Sequence, residues 1–364
     1  MAETIWANKN DLTDTLVNEE ALPALGDGEV RLRVESFSVT ANNVTYAVIG
    51  EQFGYWNFFP AGEGYGVVPM WGHAVVEETR HAEISKGERV YGYLPMGSHI
   101  DVLPGKISAG SFMDTAAHRL PMSPIYNQYS RLAADPEHDP AKEDERMLFA
   151  PLFKTGYLIE YMFRGENWFG AETLLMTSAS SKTSMGLASC AKQSSPQVKR
   201  IGLTSAGNIG FVKGTGLYDE VLAYNDVASL AQTPSVSVDF AGNRALLGDI
   251  HTMLGDNLKY SCLVGATHVD ARGSGGGTIS GGGGSMPGPA PILFFAPDHA
   301  VAAIKELGPQ AFGKAVAANW TEFLNSVDGA LKIDERAGVL AAAEAFVATF
   351  KGETDPSMGI IIRP

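Results

Sequence analysis

Apolar residues recur along this chain in two different periods. Over residues 29–39, Glu-Val-Arg-Leu-Arg-Val-Glu-Ser-Phe-Ser-Val, they alternate with polar ones in the manner of a half-buried strand. Residues 72–78 and 88–94 give further short strands between turn signals, so the chain up to about Met147 reads as β-rich. Residues 134–146 are charged and punctuated by proline, the composition of a solvated loop. From 148 to 163 the spacing becomes helical. Beyond it, strand-like runs at 173–177, 198–204, 218–224 and 235–243 are separated by helix-length connections. That β-α-β-α-β alternation predicts a parallel sheet covered by helices, hence an α/β fold. Residues 341–350 form an alanine-rich helix and 359–364 a closing strand.

The turn after the first of these strands carries the candidate chemistry. Residues 178–184 read SASSKTS, small polar residues leading into a helix that resumes at Met185 with Gly186 and Ala188. The first turn of a helix has unpaired N–H groups and a positive dipole end, which favours a bound phosphate. Ser178 and Ala179 open the turn, Lys182 adds a positive charge, and Ser180, Ser181, Thr183 and Ser184 add hydroxyl donors. A P-loop reading fails, because the two glycine positions before Lys182-Thr183 hold Met176 and Ser181. A glycine-rich dinucleotide fingerprint is missing as well. Taken alone, the motif fits a serine-capped helix that binds nothing as well as a phosphate site. The next strand ends in Thr204, Ser205, Ala206, Gly207 and Asn208, with no acid to grip a ribose 2′-OH. Neutral donors at Thr204, Ser205 and Asn208 suit a 2′-phosphate better, which points to NADP(H).

In sequence order, SASSKTS, GLTSAGN (202–208), YDEVLAY (218–224), VDFAGN (238–243) and LVGATH (263–268) resemble the nucleotide half of zinc-free, quinone-reductase-like medium-chain dehydrogenase/reductases. With TANNVTY (40–46), GYWNFFP (54–60), RVYGYLPMGSH (89–99) and YNQY (126–129), the chain resembles a branch catalogued only as a domain of unknown function. The resemblance spans nearly the whole chain. It implies a GroES-like, partly open β-barrel domain from 1–147 and 310–364. It also implies a doubly wound (Rossmann) dinucleotide-binding domain from 148–309, within which the Gly/Ser composition of 273–285 reads as a flexible loop. It further implies that Tyr224, Asp239, Gly242 and Gly265, at the ends of later strands, complete the cofactor-contacting set.

Composition narrows the function. The chain has 364 residues, 45% of them hydrophobic, enough for two domains with cores of their own. Its net charge of −14 argues against nucleic acid or an anionic membrane as partner. No stretch is long enough to span a bilayer, and the N-terminus lacks a secretion-signal pattern, so a cytoplasmic protein is expected. A homodimer is left open. Cys190 and Cys262 are the only cysteines, each in an apolar context, so neither a disulfide framework nor a cysteine-held zinc is expected. The turn 38–43 holds no cysteine. His73, in Trp71-Gly-His-Ala, lacks the acid of a ligand motif and reads as a structural histidine. His99, His118 and His268 have no ligand-like spacing.

Without a metal, a substrate carbonyl must be polarised by hydrogen-bond donors. Tyr46, following Asn43 on the turn that faces the nicotinamide in the resembled family, either donates a proton or only shapes the pocket rim. Asn43 joins it as a candidate donor, and Tyr126 in YNQY offers a second phenol or a packed loop aromatic. Tyr55, Trp56, Phe58 and Phe59 divide between barrel core and a wall for a flat, apolar substrate. The reading is an NADPH-dependent, zinc-independent reductase of a small hydrophobic enone, quinone or ketone. Its rival is a non-catalytic NADP(H)-sensing or scaffold protein, since a fold does not fix a function.

Overall fold

The computed structural model describes residues 1–264 and 286–364, so Gly265, His268 and the Gly/Ser segment 273–285 lie outside the described residues. The chain divides into two units, Met1–Leu148 with Lys332–Pro364, and Phe149–Leu331.

The first unit is built on antiparallel strands. Val30–Val39 pairs on one side with Pro69–Thr79, which is followed outward by Arg89–Pro95, Gln128–Arg131 and Ser111–Asp114. On its other side lies the closing strand Met358–Arg363, which pairs in parallel with Lys332–Ala337. A second, three-stranded sheet joins Asp11–Glu20, Ala2–Asn8 and Tyr65–Gly66. Val30, Leu32, Val34 and Phe37 enter one core with Val90, Leu94, Phe346 and Ile362. Most of Val30–Val39 is buried, Arg33 being its one exposed residue, because several of its polar positions find partners. Arg31 pairs with Asp101 at 2.7 Å, and the Ser38 hydroxyl donates to the Met147 carbonyl at 2.7 Å.

The second unit holds the expected parallel sheet, in the strand order Glu220–Ala223, Lys199–Thr204, Thr173–Met176, Ser235–Asp239, Leu258–Leu263 and Ile292–Leu293. Chain order runs outward from Thr173–Met176 to one edge and then restarts beside it with Ser235–Asp239, the reversal of a doubly wound fold. Helices Lys182–Ser194, Ile209–Gly214 and Arg244–Leu254 connect strands. The connection after Glu220–Ala223 is only a 3₁₀ turn, Tyr224–Ser229. Close helix packing is set by Gly156, where a Cβ would come within 2.4 Å of the Leu187 amide nitrogen.

Two expectations need correction. Helix Pro309–Ser326 belongs to the second unit, so the return to the first unit begins at Lys332 rather than at 310. Its aromatic side chains account for this: Phe323 lies 5.1 Å from both Phe149 and Phe153, and Trp320 5.3 Å from Phe153. Nor is 134–146 simply a solvated loop. It holds the 3₁₀ turn Pro140–Lys142 and the start of helix Glu143–Gly165, whose first-turn acids Glu143, Asp144 and Glu145 favour the positive dipole end. Arg146 is 4% exposed, bonded to Asp135, and its guanidinium stacks 4.3 Å from the Tyr91 ring centroid.

Candidate functional site

In the second unit the strand Thr173–Met176 runs into Thr177 and the serine turn. Ser178 adopts a φ of 48°, a left-handed conformation usually left to glycine. The turn that a glycine-rich sequence would make is thus made by a serine, at a cost of about 1–2 kcal/mol. Tyr224 follows the strand Glu220–Ala223 and opens the 3₁₀ turn Tyr224–Ser229. Ala179 donates its N–H to the Leu203 carbonyl at 2.9 Å, stitching the turn to the neighbouring strand. Its own carbonyl accepts from the Tyr218 hydroxyl at 2.8 Å, and that hydroxyl is 2.9 Å from the buried Ser184 hydroxyl. Ala179 and Ser184, expected to touch the cofactor, therefore hold the corner together through Tyr218. Gly202 makes room for this, since a Cβ there would meet the Ala179 methyl at 2.8 Å and the Tyr218 ring at 2.9 Å. Sequence reasoning missed Tyr218, although it opens YDEVLAY.

Ser181 caps helix Lys182–Ser194, its side chain accepting from the Ser184 N–H at 3.3 Å. Helix geometry leaves the amides of Lys182 and Thr183 without an intrahelical acceptor. The Ser180 hydroxyl accepts from the Asn208 amide at 3.3 Å and the Thr204 hydroxyl at 3.5 Å. Ser180, Thr204 and Asn208 thus converge, and Ser205 follows them exposed at the strand's end. Lys182 makes no ion pair or hydrogen bond among the described residues. Its side chain is half-buried, and desolvation lowers its pKa to about 8. The Asp239 carboxylate accepts from the Thr177 hydroxyl and from the amides of Ala241 and Gly242, at 2.5, 3.1 and 3.1 Å. Asp239 and Gly242 shape the turn at the end of Ser235–Asp239.

In the first unit, Tyr46 lies on helix Ala41–Val48, which starts from a capping box of Thr40 and Asn43. The Asn43 side-chain oxygen accepts from the Thr40 N–H at 2.7 Å, and its amide donates to the Pro69 carbonyl at 2.8 Å. Those bonds engage Asn43 in fixing the helix to the sheet. The Tyr46 hydroxyl accepts from the Asn42 amide at 2.7 Å and the Trp71 indole at 3.0 Å. With both acceptor positions taken, its own proton remains for donation. The Tyr46 ring lies 4.6, 5.4 and 6.2 Å from those of Tyr55, Tyr93 and Tyr126, and the Tyr55 and Tyr126 hydroxyls are 3.0 Å apart. Burial pushes the phenols of Tyr46, Tyr93 and Tyr126 above the usual tyrosine range. They are neutral donors near pH 7, not bases.

Within YNQY only Tyr126 joins this group; Asn127 bonds Arg119, and Tyr129 donates to the Tyr93 carbonyl at 2.8 Å. Phe58 and Phe59 pack with the tyrosines, whereas Trp56 packs into the main barrel core. Trp71 and Tyr93 were not singled out from sequence; their alternate positions on neighbouring strands are the available signal. His73 is fully buried, and neither ring nitrogen has a hydrogen-bond partner among the described residues. Among the described residues no three His, Cys, Asp or Glu side chains gather as a metal site, and no helix is long and apolar enough to cross a membrane.

Solved structures share the fold. CurA from Vibrio vulnificus in complex with NADPH is 15% identical with a TM-score of 0.60, the match covering 99% of this chain and 98% of that one. Mycobacterial Rv1454c complexed with NADPH is 13% identical with a TM-score of 0.55, covering 100% of both chains. A putative NADPH:quinone reductase from Bacillus thuringiensis is 12% identical with a TM-score of 0.54, covering 100% of this chain and 99% of that one. The fold is therefore the one these structures share, a GroES-like unit with a Rossmann unit. No curated protein sequence matches the chain. Residues 37–355 match the family model described as "Protein of unknown function (DUF2855)", and the chain belongs to that family.

Proposed function

We propose that the chain is an NADPH-dependent, zinc-independent oxidoreductase that reduces a small hydrophobic enone, quinone or ketone. The observation that carries the reading is Lys182, a half-buried lysine with no partner among the described residues, at the first turn of the helix that follows the sheet's central strand. A partly desolvated cation without a counter-charge is disfavoured, and a phosphate would supply that charge. The residues present fit a phosphorylated dinucleotide. Lys182 and the amides of Lys182 and Thr183 suit its phosphates, and the acid-free end at Thr204, Ser205 and Asn208 suits a 2′-phosphate. The NADPH complexes of CurA and Rv1454c support the same cofactor.

When bound, NADPH supplies the hydride. The chain's own residues then bind and orient, and donate hydrogen bonds to a developing oxyanion. Tyr46 is the proposed donor, its hydroxyl fixed by Asn42 and Trp71 and held neutral by burial. Tyr126, paired with Tyr55, is the reserve. Zinc independence rests on the donor set: the turn 38–43 lacks cysteine, and Cys190 and Cys262 are both buried.

Calorimetry tests the cofactor and a carbonyl panel tests the reaction. NADPH is expected to bind at least roughly tenfold tighter than NADH, and to be oxidised in the presence of an enone, quinone or ketone. Equal affinities would overturn the cofactor assignment. One observation favours the rival, a protein that binds NADP(H) without turning it over: Tyr46 and Tyr126 are only 5% and 9% exposed. Tight NADPH binding with no oxidation across the panel would decide for it.

A further inference from the structure

In the first unit, Lys9 after strand Ala2–Asn8, the turn 60–65 and the segment 118–122 line an open hollow of about 570 Å³. That lies within the range of roughly 300–1,000 Å³ typical of small-molecule sites. Its floor is the edge of Trp56, which is 6% exposed and packed closely against Gly50 and Gly66, where a Cβ at either would come within 2.3 Å of the indole. Tyr65 forms an aromatic wall, braced by Trp6 at 6.0 Å between ring centroids. Pro60, Pro121 and Met122 add apolar surface.

Charge selects the ligand further. The Lys9 ammonium stands 6.0 Å from the Trp56 ring centroid and 2.8 Å from the Glu51 carboxylate. The Glu51 side chain is 76% exposed, so this pair is a surface one with little to lose. Lys9 can therefore exchange Glu51 for a ligand carboxylate better shielded from water. Glu63, exposed on the lining, disfavours a second negative charge.

We propose that this hollow binds a planar aromatic monocarboxylate, its ring against Trp56 and Tyr65 and its carboxylate on Lys9. The site uses no residue assigned above to NADPH or to carbonyl polarisation, so it stands or falls separately from the proposed reductase. The probe is 2-naphthoate, titrated by calorimetry into the full chain without cofactor. Saturable one-to-one binding is expected. Lys9→Met should weaken it at least about fivefold, as loss of a charge-assisted contact, and Lys9→Arg should restore most of it. Neutral 2-naphthalenemethanol and doubly charged naphthalene-2,6-dicarboxylate should both bind more weakly. Ala61→Phe, which fills the hollow, should abolish binding, with circular dichroism confirming the fold. Absence of saturation, equal affinity in Lys9→Met, or displacement of the probe by NADPH would each overturn the proposal.

Discussion

The Thr177 hydroxyl donates to the Asp239 carboxylate at 2.5 Å and accepts from the amides of Phe240 and Ala241 at 2.9 and 3.3 Å. This exchange ties together the carboxyl ends of two adjacent parallel strands, Thr173–Met176 and Ser235–Asp239. They flank the reversal of strand order, where a doubly wound sheet opens its binding crevice. Thr177→Val keeps the side-chain shape but deprives the carboxylate and both amides of a partner. It is expected to cost about 1–3 kcal/mol of stability by denaturant unfolding. NADPH affinity should fall as well, because Ser178 and the serine turn follow directly. Thr177→Ser should preserve both properties; an unchanged Thr177→Val protein would show that the bond does not hold the turn.

Lys182 gives a prediction with two opposite pH signs. Burial lowers its pKa to about 8, whereas an unfolded lysine titrates near 10.5. Below pH 8 both states are charged and the burial penalty is present in full. Between about 8 and 10.5 the unfolded chain keeps a proton that the folded one releases, so the free protein gains stability as pH rises. NADPH binding moves the other way, weakening as pH rises through about 8 because the phosphates need the ammonium. Lys182→Ala should cost on the order of 1–3 kcal/mol of NADPH binding without loss of stability at pH 7. Lys182→Arg should flatten the pH dependence. Calorimetry at pH 7 and pH 9 checks both, and an affinity indifferent to the substitution would place the phosphates elsewhere.

Much of this corner was legible in the chain because strand period and helix capping are local properties. The strand expected within 235–243 forms over its first five residues, Ser235–Asp239, and Ser181 caps a helix just where small polar residues cluster. What was hidden depends on distant partners. The charged stretch 134–146 has the composition of a solvated loop, yet Arg146 and Asp135 bond each other and are both buried, and composition cannot distinguish charges that meet water from charges that meet each other. Similarly, Asn43 reads as a free donor, and only the fold shows its oxygen on Thr40 and its amide on Pro69. The serine turn gave no sign that Ser178 would take the left-handed conformation of a missing glycine.

Tyr46 separates catalysis from packing. Tyr46→Phe removes a hydroxyl that accepts from Asn42 and Trp71, so about 1–3 kcal/mol of stability should go with it. If the hydroxyl also polarises the substrate carbonyl, kcat should fall roughly 100-fold while NADPH affinity stays intact. If it only lines a pocket, the change should fall on KM and be small. Tyr126→Phe is the companion measurement, because its hydroxyl shares a bond with Tyr55 and could replace Tyr46. Should neither variant lower kcat, proton delivery does not come from these phenols.

His73 predicts the acid limb of stability. The ring is fully buried with both nitrogens unbonded among the described residues, and burial lowers its pKa to about 3, outweighing the attraction of Glu143. An unfolded histidine takes up a proton near pH 6.5, which the folded ring refuses until about pH 3. The unfolded state thus binds more protons across that window, and stability falls as pH drops from about 6.5, with a slope approaching 1.4 kcal/mol per pH unit. His73→Leu, of similar volume, removes the unbonded nitrogens along with the titration. At pH 7.5 it should be neutral or stabilising, since no hydrogen bond is lost. Between pH 7.5 and pH 5 it should lose about 1–2 kcal/mol less than the parent protein in urea unfolding. Acids that titrate in both proteins cancel in this difference, so equal losses would mean that the folded protein protonates His73 as readily as the unfolded one does.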